Sequence, residues 1–275
     1  MIANKYEILN KIGEGMFGSV FRGIYCKRNE TVAIKMESSR TSAKLLKHET
    51  RILKYLCDKG CDVIPVVHWY GVDENFTYLV MTYYDCSLND YFMKGGVSGK
   101  QLMSIMNGCI SILEAIHKLW VVHRDIKPNN FMLRGKELFI IDFGLATYYL
   151  NGDGEHISGS NESIVGSPKY ASYYIHDGCV SSRRDDLISL GYMYITLCGE
   201  SSLPWDKLEN EEGGGGIENT DITCIFHSKN VVRKRLKSWE VLSENCFGTV
   251  RNYLKYCYSL KLDETPNYEY LCRMF

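Results

Sequence analysis

The stretch HRDIKPNN, residues 123–130, places a carboxylate, an ammonium group and an amide close together along the chain. A second carboxylate, Asp142, follows the apolar residues 139–141 and begins the sequence Asp142-Phe143-Gly144. The apolar run predicts a buried strand, so Asp142 should lie in the turn at its end. Phosphoryl transfer to a hydroxyl needs a proton acceptor, a cation near the phosphate and oxygen ligands for Mg²⁺, and these side chains provide all three. Either stretch alone is also typical of a solvated turn, but together they favour a fold that gathers them around a nucleotide.

A glycine-rich hairpin is predicted near the start of the chain. Residues 6–12 alternate as a strand does, residues 13–18 (GEGMFG) interrupt them, and residues 19–23 continue as a second strand. The three glycines of the loop lack a Cβ atom, so backbone N–H groups can approach phosphate oxygens closely. A dinucleotide-binding turn with the same glycine spacing would open a helix, whereas this loop leads into a strand.

Residues 32–35 (VAIK) place a lysine within an apolar strand, where an ammonium group is costly to bury without a negative partner. Residues 44–56 have the apolar spacing of an amphipathic helix, and Glu49 lies between its apolar turns. Taken alone, Glu49 would be predicted to be an exposed charge on the surface of a charged helix. Because Lys35 needs a partner, we predict instead that Glu49 points inward and pairs with it.

These motifs resemble those of the eukaryotic protein kinases, and a narrower pattern is similar to the casein kinase 1-like group. The narrower resemblance rests on residues 166–172 (GSPKYAS), 182–187 (SRRDDL), 203–205 (LPW), and the stretch from 252–254 to 266–271. The vaccinia-related kinases are similar, but that group carries a glycine after the two arginines where this chain has Asp185. The resemblance extends from about residue 6 to residue 275.

The resemblance implies an α+β, bilobal protein kinase fold, with a small β-rich N-lobe containing one main helix and a larger helical C-lobe. We expect a single kinase domain over residues 1–275, with the N-lobe at 1–81, a hinge at 82–84 and the C-lobe at 85–275. The apolar pattern of residues 102–116 fits a buried helix of the larger lobe. ATP is expected between the lobes.

The resemblance also assigns roles to individual residues. Asp125 would receive the substrate proton, Lys127 would lie by the transferring phosphate, and Lys35, oriented by Glu49, would hold the other phosphates. The catalytic residues it implies are Asp125, Lys127, Asn130, Lys35 and Glu49, and the Mg²⁺ ligands are Asn130 and Asp142. The residues expected to bind ATP are Gly13, Glu14, Gly15, Gly18, Val20, Ala33, Lys35, Met81, Thr82, Tyr84 and Asp142, with Met81 as the gatekeeper.

Asp186 is similar to the buried carboxylate that steadies the catalytic-loop backbone in kinases. The alternative for Asp186 is an ordinary acidic residue at a helix start, favoured by the helix dipole. Lys127, two residues after Asp125, matches the catalytic loop of kinases that phosphorylate serine and threonine.

Casein kinase 1-like enzymes favour protein sites near acidic or already phosphorylated residues. The basic residues expected to contact such anions are Arg124, Lys169, Arg233 and Lys234. Thr147 stands where the group typically has lysine, and residues 158–165 contain no basic residue. We therefore expect a preference for acidic or phosphate-primed substrates that is weaker than usual. A solvated helix face or a nuclear-localisation signal is the alternative for the basic run at 233–237.

Composition fits one globular catalytic unit, since 275 residues with 45% hydrophobic content can bury a large core. The net charge of −1 argues against a generally basic nucleic-acid-binding surface. The eleven cysteines are scattered and odd in number, which favours reduced thiols, and Cys57-x3-Cys61 lacks the second ligand pair of a zinc site. We expect no signal peptide before the first strand, and no apolar run in the sequence approaches the length of a membrane span. We expect a monomeric cytoplasmic protein, with nuclear localisation as the alternative.

Two loops are predicted from the composition of the sequence. Residues 151–165 fall in the activation segment, where no obligatory phosphorylation switch is expected, and residues 206–220 have the composition of a connector. The final residues 272–275 fit a prenylation box only superficially, because Arg273 is not aliphatic.

An active Ser/Thr protein kinase is favoured over a catalytically silent scaffold and over a small-molecule kinase, because the catalytic residues and a peptide-binding segment are all present in the sequence.

Overall fold

A computed structural model describes residues 1–15, 18–40, 44–160, 164–198, 203, 205 and 248–275. The predicted connector and the basic run with Arg233 and Lys234 lie outside the described residues. The chain forms two compact units. The first unit contains Met1–Leu88 and Asn130–Ala146, and the second contains Asn89–Asn129 and Thr147–Phe275.

The first unit is built on a five-stranded antiparallel sheet in the order β1-β2-β3-β5-β4. The strands are β1 (Tyr6–Gly15), β2 (Gly18–Tyr25), β3 (Glu30–Ser38), β4 (Val67–Val72) and β5 (Phe76–Thr82). Ile34, Leu79 and Val80 on the central strands are fully buried, as expected for β-branched and apolar residues at the core of a sheet.

The glycine-rich hairpin is longer than the sequence indicated, because pairing continues through Gly13↔Val20 and Gly15↔Gly18 instead of ending at residue 12. Register shifts on either side of Lys11 absorb the irregularity. Gly18 has a φ of +116°, and a Cβ atom there would lie 2.1 Å from the carbonyl oxygen of Met36. This position therefore requires glycine.

Helix α1 (Leu45–Asp58) packs one face against the sheet, in agreement with the predicted helix at 44–56. Its buried residues are Leu46, Glu49, Thr50, Ile52, Leu53 and Leu56. A smaller sheet of β6 (Cys86–Ser87), β8 (Phe131–Arg134) and β9 (Glu137–Ile140) completes the unit, in the order β6-β8-β9. The N–H of Ile140 donates to the carbonyl of Val63 at 2.9 Å, which fixes the end of β9 beside the chain that follows α1.

The second unit is mainly helical. Among the described residues, its helices are α2 (Leu88–Met93, beginning at the last residue of the first segment), α3 (Gly99–Lys118), α4 (Tyr173–His176), α5 (Arg183–Leu197), α6 (Gly248–Ser259) and α7 (Tyr268–Cys272). A two-residue strand β7 (Val121–Val122) pairs with β10 (Thr147–Tyr148). Ser98 and Gln101 form a capping box at the start of α3, so two orphan N–H groups are satisfied there.

Helix α5 forms the centre of the second unit, since every residue from Arg183 to Ile195 is buried. Its charged first turn is paired rather than solvated: Asp185 accepts from the backbone N–H of Ser182 at 2.8 Å and from the hydroxyl of Ser172 at 2.5 Å. A helix that is buried on all sides places its small residues where a neighbour approaches closely. Gly191 is such a residue, packed against α6.

No helix in the described ranges is long and apolar enough to cross a membrane. The nine cysteines that fall within those ranges are free thiols.

Replacing Gly191 with alanine should weaken the packing of α5 on α6. The new Cβ atom would lie 2.5 Å from Leu254 Cδ2 and 3.1 Å from Tyr253 Cε1. Overpacking of this kind costs about 1–3 kcal/mol, and the helix propensity gained by alanine offsets roughly 1 kcal/mol of it. We expect a lower midpoint of urea unfolding for Gly191→Ala. Gly152→Ala is the control, because no atom lies within 4 Å of its added Cβ, and equal midpoints for the two variants would contradict the packing described.

Candidate active site

In the first unit, Lys35 is held between two carboxylates. Its Nζ lies 2.8 and 2.9 Å from the two oxygens of Glu49, and 2.8 Å from Oδ1 of Asp142. Lys35 is 8% exposed and Glu49 is 1% exposed, so both charges are removed from water. The inward pairing of Glu49 with Lys35 predicted from the sequence is confirmed.

The two carboxylates determine the charge of Lys35. Burial alone would lower the pKa of this ammonium group, but Asp142 and Glu49 raise the pKa above its ordinary value. Lys35 is therefore positively charged, and it remains a cation available to phosphate oxygens.

The segment from Asp142 to Ala146 is bonded to α1 as well. The backbone N–H of Phe143 donates to Glu49 Oε1 at 3.3 Å, and His48 Nε2 lies 2.7 Å from the carbonyl oxygen of Ala146, to which it donates. Asp142 has a φ of 70°, which turns the chain out of β9 into the short 3₁₀ helix Phe143–Leu145. Helix α1 and this turn thus hold Lys35, Glu49 and Asp142 in one arrangement.

Asn130 and Asp142, the predicted Mg²⁺ ligands, are brought close by the backbone. Asn130 ends the 3₁₀ turn Pro128–Asn130 and is 4% exposed, and its carbonyl accepts from the N–H of Ile141 at 2.9 Å. An amide oxygen and a carboxylate are hard ligands, and Mg²⁺ is usually held by one or two such protein groups together with substrate phosphates. Among the described residues no cluster of three or more His, Cys, Asp or Glu side chains could hold a metal. The donor chemistry of the Asn130 and Asp142 side chains fits Mg²⁺.

Apart from Tyr84 and Asp142, the predicted nucleotide-binding residues lie on β1, β2, β3 and the end of β5. Gly13 and Val20 are paired across the hairpin, and Ala33 is opposite Met81, which is 3% exposed. Gly13, Glu14 and Gly15 belong to β1, and Gly18 begins β2.

The predicted hinge begins at the last residue of β5. Thr82 N–H donates to the carbonyl of Val66 at 3.1 Å, so this N–H is already used. The ring of Tyr84 packs on Phe139 with centroids 4.7 Å apart. This contact seats residue 84 against β9.

In the second unit, Asp125 is bonded at both carboxylate oxygens. Its Oδ2 lies 2.7 Å from Lys127 Nζ. Its Oδ1 accepts from the backbone N–H of Ser167 at 2.9 Å and from the Ser167 hydroxyl at 2.7 Å. Lys127 Nζ also donates to the Ser167 hydroxyl at 3.2 Å. Asp125, Lys127 and Ser167 therefore form a closed triangle of hydrogen bonds.

Ser167 was not predicted as a site residue. The sequence indicated it only as part of GSPKYAS, a stretch used to recognise the family group. A serine two residues before Lys169 carries no distinguishing signal of its own, because serine is common in loops.

As predicted, the buried carboxylate of Asp186 holds the backbone of the loop that contains Asp125. It accepts from the backbone N–H groups of His123 at 2.8 Å and Arg124 at 2.9 Å, and from His117 Nε2 at 2.9 Å. Burial alone would raise the pKa of Asp186, but the hydrogen bonds from His117 and from the His123 backbone lower it. The stability that this carboxylate contributes is present above the ordinary aspartate pKa and is lost as the pH falls through the lowered value.

Arg124 and Lys169, the described members of the predicted anion-binding set, both belong to the second unit. Arg124 adopts a left-handed backbone conformation with a φ of 67°, and burial lowers the pKa of its guanidinium while Asp186 opposes that effect. The backbone of Lys169 is fixed by Trp205 Nε1, which donates to its carbonyl at 2.8 Å. The Lys169 ammonium lies 5.7 Å from the centre of the Tyr170 ring.

Residues 6–263 match the family model described as protein kinase domain. The chain therefore belongs to the protein kinase family, and the predicted α+β kinase fold is confirmed. Members of this family transfer the γ-phosphate of ATP to protein hydroxyls.

Removing the negative charge of Glu49 should reduce activity more than removing that of another buried glutamate. In Glu49→Gln, Lys35 keeps Asp142 but loses the partner that orients it, so we expect kcat/KM for ATP to fall about 10- to 100-fold. Glu37→Gln is the matched control, because Glu37 is 4% exposed and its carboxylate accepts from the backbone N–H of Leu45. Steady-state kinetics with casein and varied ATP measures both variants, and equal losses would show that the Lys35 pair has no special role.

Proposed function

We propose that this chain is an ATP- and Mg²⁺-dependent serine/threonine protein kinase of the casein kinase 1 type. The observation that carries the proposal is the triangle of Asp125, Lys127 and Ser167. It combines a proton acceptor with a cation at a distance of 2.7 Å, on a loop whose backbone is held by Asp186.

In the proposed reaction, Asp125 accepts the proton of the attacking serine or threonine hydroxyl. Lys127 neutralises charge that develops on the transferred phosphoryl group. Lys35, charged because of Glu49 and Asp142, binds the phosphate oxygens of ATP. Asn130 and Asp142 would hold Mg²⁺, which neutralises phosphate charge when it is bound.

The Ser/Thr specificity is supported by the bond between Lys127 and Ser167. A lysine two residues after the proton acceptor matches the Ser/Thr-type catalytic loop, and in this chain its Nζ donates to the Ser167 hydroxyl at 3.2 Å. Adenine recognition is proposed to use the backbone at residues 82–84. Since Thr82 N–H donates to Val66, the N–H of Tyr84 is the proposed donor to adenine.

The proposed substrate sites are acidic or phosphate-primed. Lys169 supports this proposal because it places a cation on a segment whose backbone carbonyl accepts from Trp205 Nε1 at 2.8 Å. Thr147 lies in β10 at the position where the resembled group has a further lysine, so we propose a preference weaker than that of the group.

Casein phosphorylation should depend on both proposed carboxylates. We expect Asp125→Asn and Asp142→Asn each to lower kcat by about 10²–10⁴, because the first loses the proton acceptor and the second a Mg²⁺ ligand. Asp153→Asn, at an exposed turn, is the control. Incorporation of ³²P from Mg-ATP into casein and into peptides with Ser, Thr or Tyr as acceptor is measured. Turnover of ATP without protein labelling would favour a small-molecule substrate, and labelling of the Tyr peptide alone would contradict the proposed specificity.

The preference for primed sites should depend on Lys169. For matched peptides with and without a phosphoserine three residues before the acceptor, the wild-type protein should phosphorylate the primed peptide faster. Lys169→Gln should lower this ratio about two- to fivefold, the range expected for an exposed charge pair. Lys136→Gln, at an exposed turn of the first unit, should leave it unchanged. Equal rates for the two peptides with the wild-type protein would remove the proposed preference.

A further inference from the structure

His117 is a buried histidine that uses both ring nitrogens. It lies on α3 and is 1% exposed. Its Nε2 lies 2.9 Å from Asp186 Oδ2, and its Nδ1 lies 2.7 Å from the hydroxyl of Tyr268. This contact was not predicted from the sequence, because Tyr268 follows His117 by 151 residues. The side chain therefore connects α7 to the carboxylate that holds the catalytic loop.

We propose that Tyr268 is a positioning residue for the catalytic loop, acting through His117 on Asp186. The proposal rests on the proposed role of Asp125, which follows directly after the two backbone N–H groups that Asp186 binds. Tyr268 touches neither the substrate nor the reacting atoms. It acts by holding the His117 ring in the orientation in which Nε2 donates to Asp186.

The tautomer of His117 is set by its two partners. A carboxylate accepts, so Nε2 must carry hydrogen to bond with Asp186. In the neutral ring, Nδ1 is then an acceptor, and the Tyr268 hydroxyl donates to it. Without this donor the buried Nδ1 lone pair loses its hydrogen bond, and the ring loses the contact that holds it in the orientation in which Nε2 donates to Asp186.

Both oxygens of Asp186 accept hydrogen bonds, so the loss of one donor would change the orientation of the carboxylate. Its Oδ2 is shared by His117 and the His123 N–H, while Oδ1 binds the Arg124 N–H. Arg124 has a φ of 67°, a conformation that costs free energy for a residue with a Cβ atom and persists only where neighbours impose it. A reoriented Asp186 would release this backbone, and Asp125 is the next residue along the chain.

The position of Tyr268 is itself fixed on several sides. It is 6% exposed, and the preceding Asn267 caps α7 by accepting from Tyr270 N–H at 2.9 Å. The N–H of Asn267 donates to the hydroxyl of Tyr256 on α6 at 2.8 Å.

Arg183 of α5 hydrogen-bonds the chain segment that leads into α7. Arg183 donates to the Asp263 carbonyl at 2.7 Å and to the Thr265 hydroxyl at 3.1 Å. It also donates to the Tyr149 hydroxyl, which in turn donates to the His117 carbonyl at 2.8 Å. These hydrogen bonds fix the position of the Tyr268 hydroxyl beside His117, as a positioning role requires.

Tyr268→Phe removes only the hydroxyl and tests the proposal directly. We expect kcat for casein to fall about five- to tenfold, the effect of one lost hydrogen bond on the reacting arrangement, with KM for ATP unchanged. Tyr270→Phe is the matched control, because Tyr270 lies on the same helix and is 47% exposed. It should keep the wild-type kcat. A wild-type kcat for Tyr268→Phe, or an equal fall in both variants, would overturn the proposal.

Two further measurements separate positioning from a general loss of structure. The Nδ1 ¹⁵N shift of His117 should report a hydrogen-bonded acceptor nitrogen in the wild-type protein and should move toward that of a lone pair without a donor in Tyr268→Phe, and an unchanged shift would overturn the proposal. In a double-mutant cycle with His117→Gln, Tyr268→Phe should have no further effect on kcat, whereas additive losses would show that Tyr268 does not act through His117. If the wild-type protein shows no Asp125-dependent phosphorylation, the proposed function fails. If it does and Tyr268→Phe equals it, only the positioning role fails.

Discussion

A lysine ammonium within a β-sheet persists only if negative charge meets it, and this requirement organises the first unit. Lys35 on β3 draws Glu49 from α1 and Asp142 from the end of β9 to within 2.9 Å. Three elements distant in sequence are thereby fixed around one charge, because separating any of them would leave an unpaired ion in a medium that solvates it poorly. The proposed function uses the same charge to bind phosphate oxygens, so in that proposal stability and nucleotide binding depend on one group.

The second unit uses a buried carboxylate differently. Asp186 meets backbone N–H groups and a histidine instead of a lysine, and it imposes a conformation on the loop that precedes Asp125. Asp125 is in turn held at both oxygens, by Lys127 and by Ser167. In the proposed reaction, the proton acceptor Asp125 is therefore oriented before substrate arrives, so little reorganisation is required.

Those parts of the site that rest on strong local physics were predictable from the sequence. The cost of burying Lys35 and the helical spacing around Glu49 predicted their pair, and apolar periodicity predicted α1 and α3. The contacts of Ser167, His48 and Tyr268 were not predictable, because each depends on which distant segment the fold brings beside a common residue type. The length of the glycine-rich strand β1 was underestimated for a related reason. Cross-strand pairing extended the strand despite the poor strand propensity of glycine.

The left-handed backbone at Asp142, with a φ of 70°, limits which side chains can replace it. Aspartate and asparagine enter this region readily, whereas other residues with a Cβ atom pay about 1–2 kcal/mol. Alanine at this position would therefore disturb the turn as well as delete the carboxylate, and asparagine would alter the charge alone. A catalytically silent form that keeps its native shape is accessible through asparagine, so binding of protein partners could be separated from phosphorylation in the same molecule.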